Sequence, residues 1–543
     1  MGPACDIRPW IPTRREAWLG LAAALIACLG LRLLIIGESN LMAKDGITYL
    51  AMARQWSAGP MDVIRRSDYH VGYPVAVAGV HHVLTAAGLP DNLRLWEIAG
   101  QAVSLLSAVA ATIALWLFAG MTFDWRVAWV GSLLFSVTRN WAVLGADVLS
   151  DLLAVAFQLW GAVLALVALR QLQAKRWRMV ALAGCVGLCA GLGYLVRPES
   201  LLVAILAVGL WLAYQIRYRI NWRLTACAAA STLIATAACM APYVAIIGGL
   251  SKKKQLTDFA PAAATNLPAA HGVGALTAVF AVLDKFVRAM HPDLVVMAGI
   301  WIAVAIVSST RQDRPVARLV PRAKWPGLLL ILAAGAVVTT MLGLMYRHVH
   351  YVSSRHLAFM AALFVSLAGA GAVFVGNMIG TIAGTRQPAR WRIGLAATGL
   401  AALVAFTVVH ACKPLHPDDP AAREAGLYLG GLCTPDDRVV SSNPWVGYYA
   451  QRPSPVILVQ KGFRLGEVIW LRKAFGPGGV YLVLDDEALR QGDAELKADL
   501  HSPRFERVKA FPTDDPGPAR VYLYRVHIPR ANAATQDATN QAP

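Results

Sequence analysis

The sequence predicts an all-α polytopic membrane domain with about eleven transmembrane helices, followed by a small α/β domain outside the membrane. Three observations predict it. Of the 543 residues 57% are apolar and only 15% charged, well below the quarter or so usual in soluble proteins. The apolar residues gather into runs of roughly 18 to 24, the length a helix needs to cross about 30 Å of hydrocarbon while satisfying its own backbone. After Cys412 the charged residues become frequent and the apolar runs shrink to strand length.

Taken in order, the spans are expected at residues 17–36, 97–120, 127–145, 151–169, 179–196, 199–216, 224–247, 293–310, 327–346, 357–379 and 392–411. Arg8, Arg14 and Arg15 precede the first run as they would a signal peptide. No small-x-small cleavage pattern follows Ile36, however, and the run is long for such a leader, so a retained anchor is expected. The net charge of +18 is distributed between the spans: Arg170, Lys175, Arg176 and Arg178; then Arg217, Arg219 and Arg223; then Arg311, Arg314, Arg318, Arg322 and Lys324; then Arg386, Arg390 and Arg392. This is the bias of cytoplasmic loops. It predicts a multi-pass protein of the cell (inner) membrane with a cytoplasmic N-terminus, and with 37–96, 248–292 and everything after 412 facing outward. The basic balance then reports topology and contact with membrane lipids; no nucleic-acid motif accompanies it.

The outward loop 37–96 is long for a connector, and such loops are usually functional. Tyr49, Met52, Ala53 and Trp56 follow the spacing of one helical face, predicting a short helix along the membrane surface that ends at Gly59 and Pro60. The membrane domain is placed at 1–411 and the soluble domain at 412–528, with 529–543 a disordered polar tail. Strands are expected at Arg438-Val-Val, Pro455-Val-Ile-Leu-Val, Val480-Tyr-Leu-Val-Leu and Val521-Tyr-Leu-Tyr-Arg-Val, with helices around 419–431, 464–475 and 486–499. Cys412 and Cys433 both fall on the outward side, where a disulfide between them is open to formation.

Ionisable groups gather at the outward span ends, where their cost marks them as functional candidates. They are Lys44 and Asp45, Asp68 and His70, Asp147 and Asp151, Arg197 and Glu199, and the run Arg347, His348, His350, Arg355 and His356. Carboxylates and cations on one surface suit a lipid-linked phosphate, with an acid left over for proton chemistry.

Asp45-Gly46-Ile47-Thr48-Tyr49-Leu50-Ala51-Met52-Ala53-Arg54, Gly72-Tyr73-Pro74, Ser150-Asp151-Leu152-Leu153, Leu195-Val196-Arg197-Pro198-Glu199 and Arg355-His356-Leu357 stand in order at the span boundaries. In this they resemble the polytopic glycosyltransferases of the GT-C superfamily, in particular bacterial relatives of protein O-mannosyltransferases and lipid A aminoarabinose transferases. The likeness covers roughly residues 15–410. It implies transfer of a sugar from a polyprenyl-phosphate donor to an extracytoplasmic protein, glycan or lipid acceptor, with Asp45 as catalytic base. This chain has Gly46 where the family commonly has a second acid, which leaves the sugar and acceptor open.

The chemistry agrees with that expectation. Transfer from a sugar phosphate needs a base for the acceptor hydroxyl and cations for the departing phosphate, but little acid assistance, whereas a glycosidase wants two carboxylates. Asp45, with Asp151 as a second candidate, supplies the base. Arg355, Arg347, Arg197 and Lys44 supply the cations, and Asp68, His70, Tyr49 and His356 complete the candidate set. Each has a structural reading beside it. Asp45 is placed to cap the surface helix, Asp147 and Asp151 could mark a polar helix entrance, Arg197-Pro198-Glu199 could be a turn with a local ion pair, and Lys252-Lys253-Lys254 could be a solvated run or a contact to the donor phosphate. A divalent metal is not expected, His348, His350 and His356 resembling ligands by count alone. The rival functions are a transporter or flippase of lipid-linked sugars, which would need ions buried in mid-span, where Arg32 is the nearest case, and a non-catalytic envelope protein that binds glycan.

Overall fold

A computed structural model of the chain describes residues 15–171, 176–252, 274–309, 320–382, 405–451, 479–512 and 521–527, apart from 40, 220, 406, 410, 414, 416–419 and 493. The chain divides into two compact units, one of residues 1–37 with 49–413 and the other of 38–48 with 414–543. The division falls at 413/414, and Glu38–Thr48 groups with the second unit.

Unit one is helical. The first span is α1 (Arg15–Glu38), and α2 (Lys44–Trp56) follows, its first turn belonging to the other unit. Pro60 opens α3 (Pro60–Arg66), where its missing N–H costs nothing, and α4 (Gly72–Ala86) completes the segment between the first two spans. The Asn92 side chain caps α5 (Leu93–Thr122), and Asp124 caps α6 (Trp125–Val137) by accepting from the N–H groups of Arg126 and Val127 at 2.8 and 3.0 Å. Then come α7 (Arg139–Ala146), α8 (Asp151–Arg170), α9 (Arg176–Val196), α10 (Leu202–Tyr218) and α11 (Trp222–Ile247). Gly248 ends α11 in the left-handed conformation, φ 72°, that glycine adopts without penalty. The unit continues through α12 (Ala275–Met290), α13 (Pro292–Ser309), α14 (Trp325–Val349) and α15 (Ala358–Ile382).

Among the described residues nine helices are long and apolar enough to cross a membrane, or ten if α6 and α7 count as one broken span. The straight span expected at 127–145 is bent by 63°. The cause lies at Thr138, whose extended backbone breaks the helix and whose Oγ1 turns back to the Leu134 carbonyl at 2.7 Å. The bend is clasped by Arg32, a fully buried cation of α1, which donates to the carbonyls of Ser136 and Trp141 at 2.9 Å each and to that of Cys28 at 3.1 Å. Gly145 leaves it room, since a Cβ there would overlap the Arg32 side chain. Most of the span expected at 392–411 lies outside the described residues.

The helix expected at the membrane surface forms as α2, but its apolar face meets protein. Tyr49, Met52 and Ala53 are 5, 5 and 1% exposed, and Trp56 packs on a cluster containing Val63, Ile64, Tyr194 and Tyr243. Lipid is not needed to cover it.

Unit two contains a four-stranded sheet in the order β1-β2-β4-β3, with α16 (Pro420–Leu432) ahead of β1 (Arg438–Ser441) and α17 (Pro444–Tyr449) after it. Then come β2 (Val480–Asp485), α18 (Asp486–Gln491), α19 (Ala494–Leu500), β3 (Phe505–Phe511) and β4 (Val521–Val526). β1 runs parallel to β2, and β4 pairs antiparallel with both β2 and β3. β2 reads as a continuous apolar run because it is central, and Leu482 and Leu484 are fully buried. The edge strand β3 was not expected: Glu506, Arg507 and Lys509 disguise it, and a register shift falls between Arg507 and Lys509, both ordinary protections of an exposed edge. The strand expected at Pro455 and the helix at 464–475 lie outside the described residues. No disulfide joins Cys412 to Cys433 among the described residues.

Candidate active site

Three chain segments distant in sequence meet at the N-terminal end of α8. Asp151 is the first residue of α8; Arg197 sits between α9 and the turn Pro198–Leu201; Arg355 and His356 lie in the turn Ser354–Leu357 that opens α15. The Asp151 side chain is 0% exposed, which a carboxylate tolerates only with partners in place. It has two. Arg355 donates to Oδ2 from Nε at 2.9 Å and from Nη2 at 2.7 Å, and Arg197 Nη1 donates to Oδ1. Burial works against the charge of Arg197, but the Asp151 carboxylate more than offsets it, so the guanidinium is held above its ordinary value. Glu199 is held more loosely, 3.6 Å from Arg197 Nε and 3.8 Å from His356 Nε2.

These groups form the polar end of a cavity of ≈ 230 Å³ between α8, α10, α14 and α15. Its walls are apolar, with Val155 from α8, Leu202 and Ile205 from α10, Val338, Met341 and Leu342 from α14, and Phe359 from α15. Gln158, seven residues beyond Asp151 on α8 and 4% exposed, adds an amide two turns down the wall. A charged head above an apolar slot is the shape of a site for an amphiphile.

The cavity thus brings together Asp151, Arg197, Glu199, Arg355 and His356. Tyr49 is next to it: its hydroxyl hydrogen-bonds Ser150 Oγ at 2.9 Å, and its ring packs edge-on against Tyr69 and Tyr73. Burial pushes the Tyr49 phenol up, so it stays protonated at neutral pH. Tyr73 in turn donates to the Gly100 carbonyl at 2.9 Å. The other candidates are not among the residues that line the cavity. Arg347 is exposed on the last turn of α14, Asp68 is exposed, and His70 is buried between Tyr194 and Tyr243 at centroid distances of 5.2 Å. Lys252 caps the C-terminal end of α3 through the carbonyls of Ile64 and Arg65. Asp147 is 2% exposed and accepts the Val148 N–H at 2.7 Å. Lys44 and Asp45 belong to unit two, where Lys44 lies 5.4 Å over the Trp445 ring and Trp445 Nε1 donates to the Met42 carbonyl at 2.8 Å.

Gln158 was missed in the sequence, where a lone glutamine at helical spacing from Asp151 was the available signal; Ser150 stood there only within the Ser150-Asp151-Leu152-Leu153 motif, without a role. Among the described residues no group of three His, Cys, Asp or Glu side chains is placed to hold a metal ion.

No protein-family model matches the chain, and no curated protein matches it by sequence. Solved structures do. It is similar to ArnT from Cupriavidus metallidurans bound to undecaprenyl phosphate, at 13% identity and a TM-score of 0.57, covering 94% of this chain and 98% of that one. It is also similar to the archaeal oligosaccharyltransferase AglB from Archaeoglobus fulgidus in complex with an inhibitory peptide and a dolichol-phosphate, at 12% identity and a TM-score of 0.58, covering 87% of this chain and 69% of that one. The same archaeal enzyme in complex with Zn and sulfate gives a TM-score of 0.60 at 12% identity, over 90% of this chain and 71% of that one. The chain accordingly has the fold of the polytopic GT-C membrane glycosyltransferases, a multi-pass helical domain with a small C-terminal α/β domain.

Proposed function

We propose that the protein is a membrane glycosyltransferase that moves a sugar from a polyprenyl-phosphate donor to an extracytoplasmic acceptor. The observation that carries this is the cavity at the head of α8, which pairs two arginines and a histidine with a slot of apolar side chains. A prenyl phosphate has that division of character, and the two similar proteins were each seen with one, undecaprenyl phosphate and a dolichol-phosphate. Arg197 and Arg355 hold the donor phosphate, and the prenyl chain follows Val338, Met341 and Leu342. Arg32, near the end of the first span and the nearest case to the mid-span ion a transporter reading would need, is engaged by backbone carbonyls.

In this reading Asp151 is a positioning residue that fixes both arginines, and Asp45 is the general base. Asp45 lies in the first turn of the helix that carries Tyr49. The acceptor hydroxyl gives its proton to Asp45 while its oxygen bonds to the sugar's anomeric carbon. The bond from that carbon to the phosphate oxygen breaks, and its electron pair leaves with the phosphate, whose negative charge the arginines meet. Asp45 lies inside the first turn of α2 rather than at its cap, and Asp45→Asn keeps the side chain's shape while the proton acceptor is lost. Donor binding should be retained while transfer falls by about 10² or more. Near-parental transfer by the folded variant would remove Asp45 from the mechanism.

The basic loops orient the protein with its N-terminus in the cytoplasm and residues 412–543 outside. Arg504 is exposed in unit two. A cysteine placed there, in a background lacking Cys412 and Cys433, should react with an impermeant thiol reagent in intact cells; reaction only after lysis would reverse the topology.

A further inference from the structure

The helices α8, α10 and α14 that wall the candidate active site also build a second cavity, at their other ends. It measures ≈ 260 Å³. α8 is 20 residues long, so Asp151 and Arg170 lie about 28 Å apart along it, close to the thickness of the hydrocarbon core. The two cavities therefore stand at opposite faces of the membrane.

Residues of the second cavity come from four elements. Arg170 ends α8, Tyr214 and Tyr218 end α10, and Lys324 with Trp325 opens α14, while Met121 of α5 helps form the apolar floor. The cations thus arrive from positions more than 150 residues apart and face one space. No carboxylate lines that space, and neither Arg170 nor Lys324 forms an ion pair among the described residues. Burial pulls the Lys324 ammonium down, and the charge of Arg170 pulls it further, with Asp124 opposing. Two like charges facing one space, with no carboxylate among its described lining residues and Asp124 acting on Lys324 from outside it, mark a place where an anion would be stabilised. The N-terminus of the 25-residue α14 adds its positive end there.

We propose that this cavity binds the phosphate headgroup of an anionic membrane lipid in the leaflet opposite the active site. Arg170 and Lys324 share the phosphate, Tyr218 and Trp325 lie at the interfacial depth their amphipathic rings prefer, and Met121 and Leu166 receive the first methylenes. The volume suits this: at about 30 Å³ per water-sized group it admits a phosphodiester and a few methylenes but not a whole lipid. Both cations belong to loops that the charge bias assigns to the cytoplasm, the side where anionic lipid attracts basic segments. The inference is independent of which donor the other cavity takes.

The test uses the purified full-length protein in nanodiscs of phosphatidylcholine with or without phosphatidylglycerol, and in detergent with inorganic phosphate, read by native mass spectrometry and thermal melting. Wild type should retain one phosphatidylglycerol and melt higher with it than in phosphatidylcholine alone. The double variant Arg170→Gln/Lys324→Gln should lose affinity for that lipid by on the order of 30-fold, as expected for two charge contacts, while the charge-preserving Arg170→Lys/Lys324→Arg keeps most of it. Lys324→Gln alone, at an exposed position, should lose about fivefold and keeps the test open if the double variant does not fold. Equal lipid retention by the glutamine variants would overturn the proposal. So would equal stabilisation by inorganic phosphate without lipid, which would make the site one for free phosphate.

Discussion

The two ends of α8 are built from the same parts to opposite effect. At its N-terminus Arg197 and Arg355 are clamped by Asp151, with Glu199 nearby; at its C-terminus Arg170 and Lys324 face their cavity with no lining carboxylate. The difference separates two uses of positive charge. Compensated arginines are fixed in direction, so they can be aimed, but much of their field is spent on Asp151. That suits a phosphate that must be met as its charge develops and then released, because binding donor and product equally tightly does not speed the chemistry. Cations that no carboxylate clamps hold their anion statically, as a structural lipid requires.

Asp151→Asn removes the compensation and should have the largest effect. The loss of a buried ion-pair partner typically costs about 3–5 kcal/mol, so the melting temperature should drop well below that of wild type. Surviving protein should hold prenyl phosphate more tightly while transferring sugar on the order of 10² more slowly, as its arginines lose direction. If binding of prenyl phosphate and turnover both stayed parental, the contrast between the two ends would be empty. A sharper and smaller change is Arg355→Lys, which keeps the charge but not the two-point contact from Nε and Nη2. The donor KM should rise by about tenfold with a fall in kcat, and wild-type kinetics would remove Arg355 from the phosphate site. Glu199→Gln should act least and in the other direction. Its carboxylate is 37% exposed and loosely paired, so removing its charge should tighten phosphate binding by no more than about fivefold; weakened binding would show that Glu199 is needed to place His356.

How much of this was legible in the sequence follows from the physics of each part. The spans were legible because hydrocarbon imposes a length and forbids unsatisfied backbone, and α8, α9 and α10 fall within a few residues of the positions expected. Asp151, Arg197, Glu199, Arg355 and His356 were legible one by one, because an ion at a span end is costly enough to mark itself. Their pairing was not. Asp151 meets Arg197 across 46 residues and Arg355 across 204, a distance over which a single sequence carries no register, so Asp151 stood as a candidate acid–base group with no sign of its two arginines. The bend at Thr138 hid for a similar reason: an apolar run of spanning length reads as straight, and the break depends on a threonine and on Arg32 from another helix. At the far end of α8, Arg170 and Lys324 were read only as part of the cytoplasmic charge bias, because nothing local shows that Tyr214, Tyr218 and Trp325 converge on them.

The clasp that Arg32 makes on the broken helix bears on the order in which the protein can be assembled. α1 is synthesised about 100 residues before the carbonyls of Ser136 and Trp141 that engage its guanidinium. Until they arrive, a cation toward the end of the first helix burdens its insertion, by less than the roughly 2.5–3.5 kcal/mol that one at the helix centre costs. Leucines and isoleucines elsewhere in α1 carry it through that interval, and the helix settles only once α6 and α7 have entered beside it. The first helix is therefore provisional at birth and made permanent by the second stretch of chain to follow it into the bilayer.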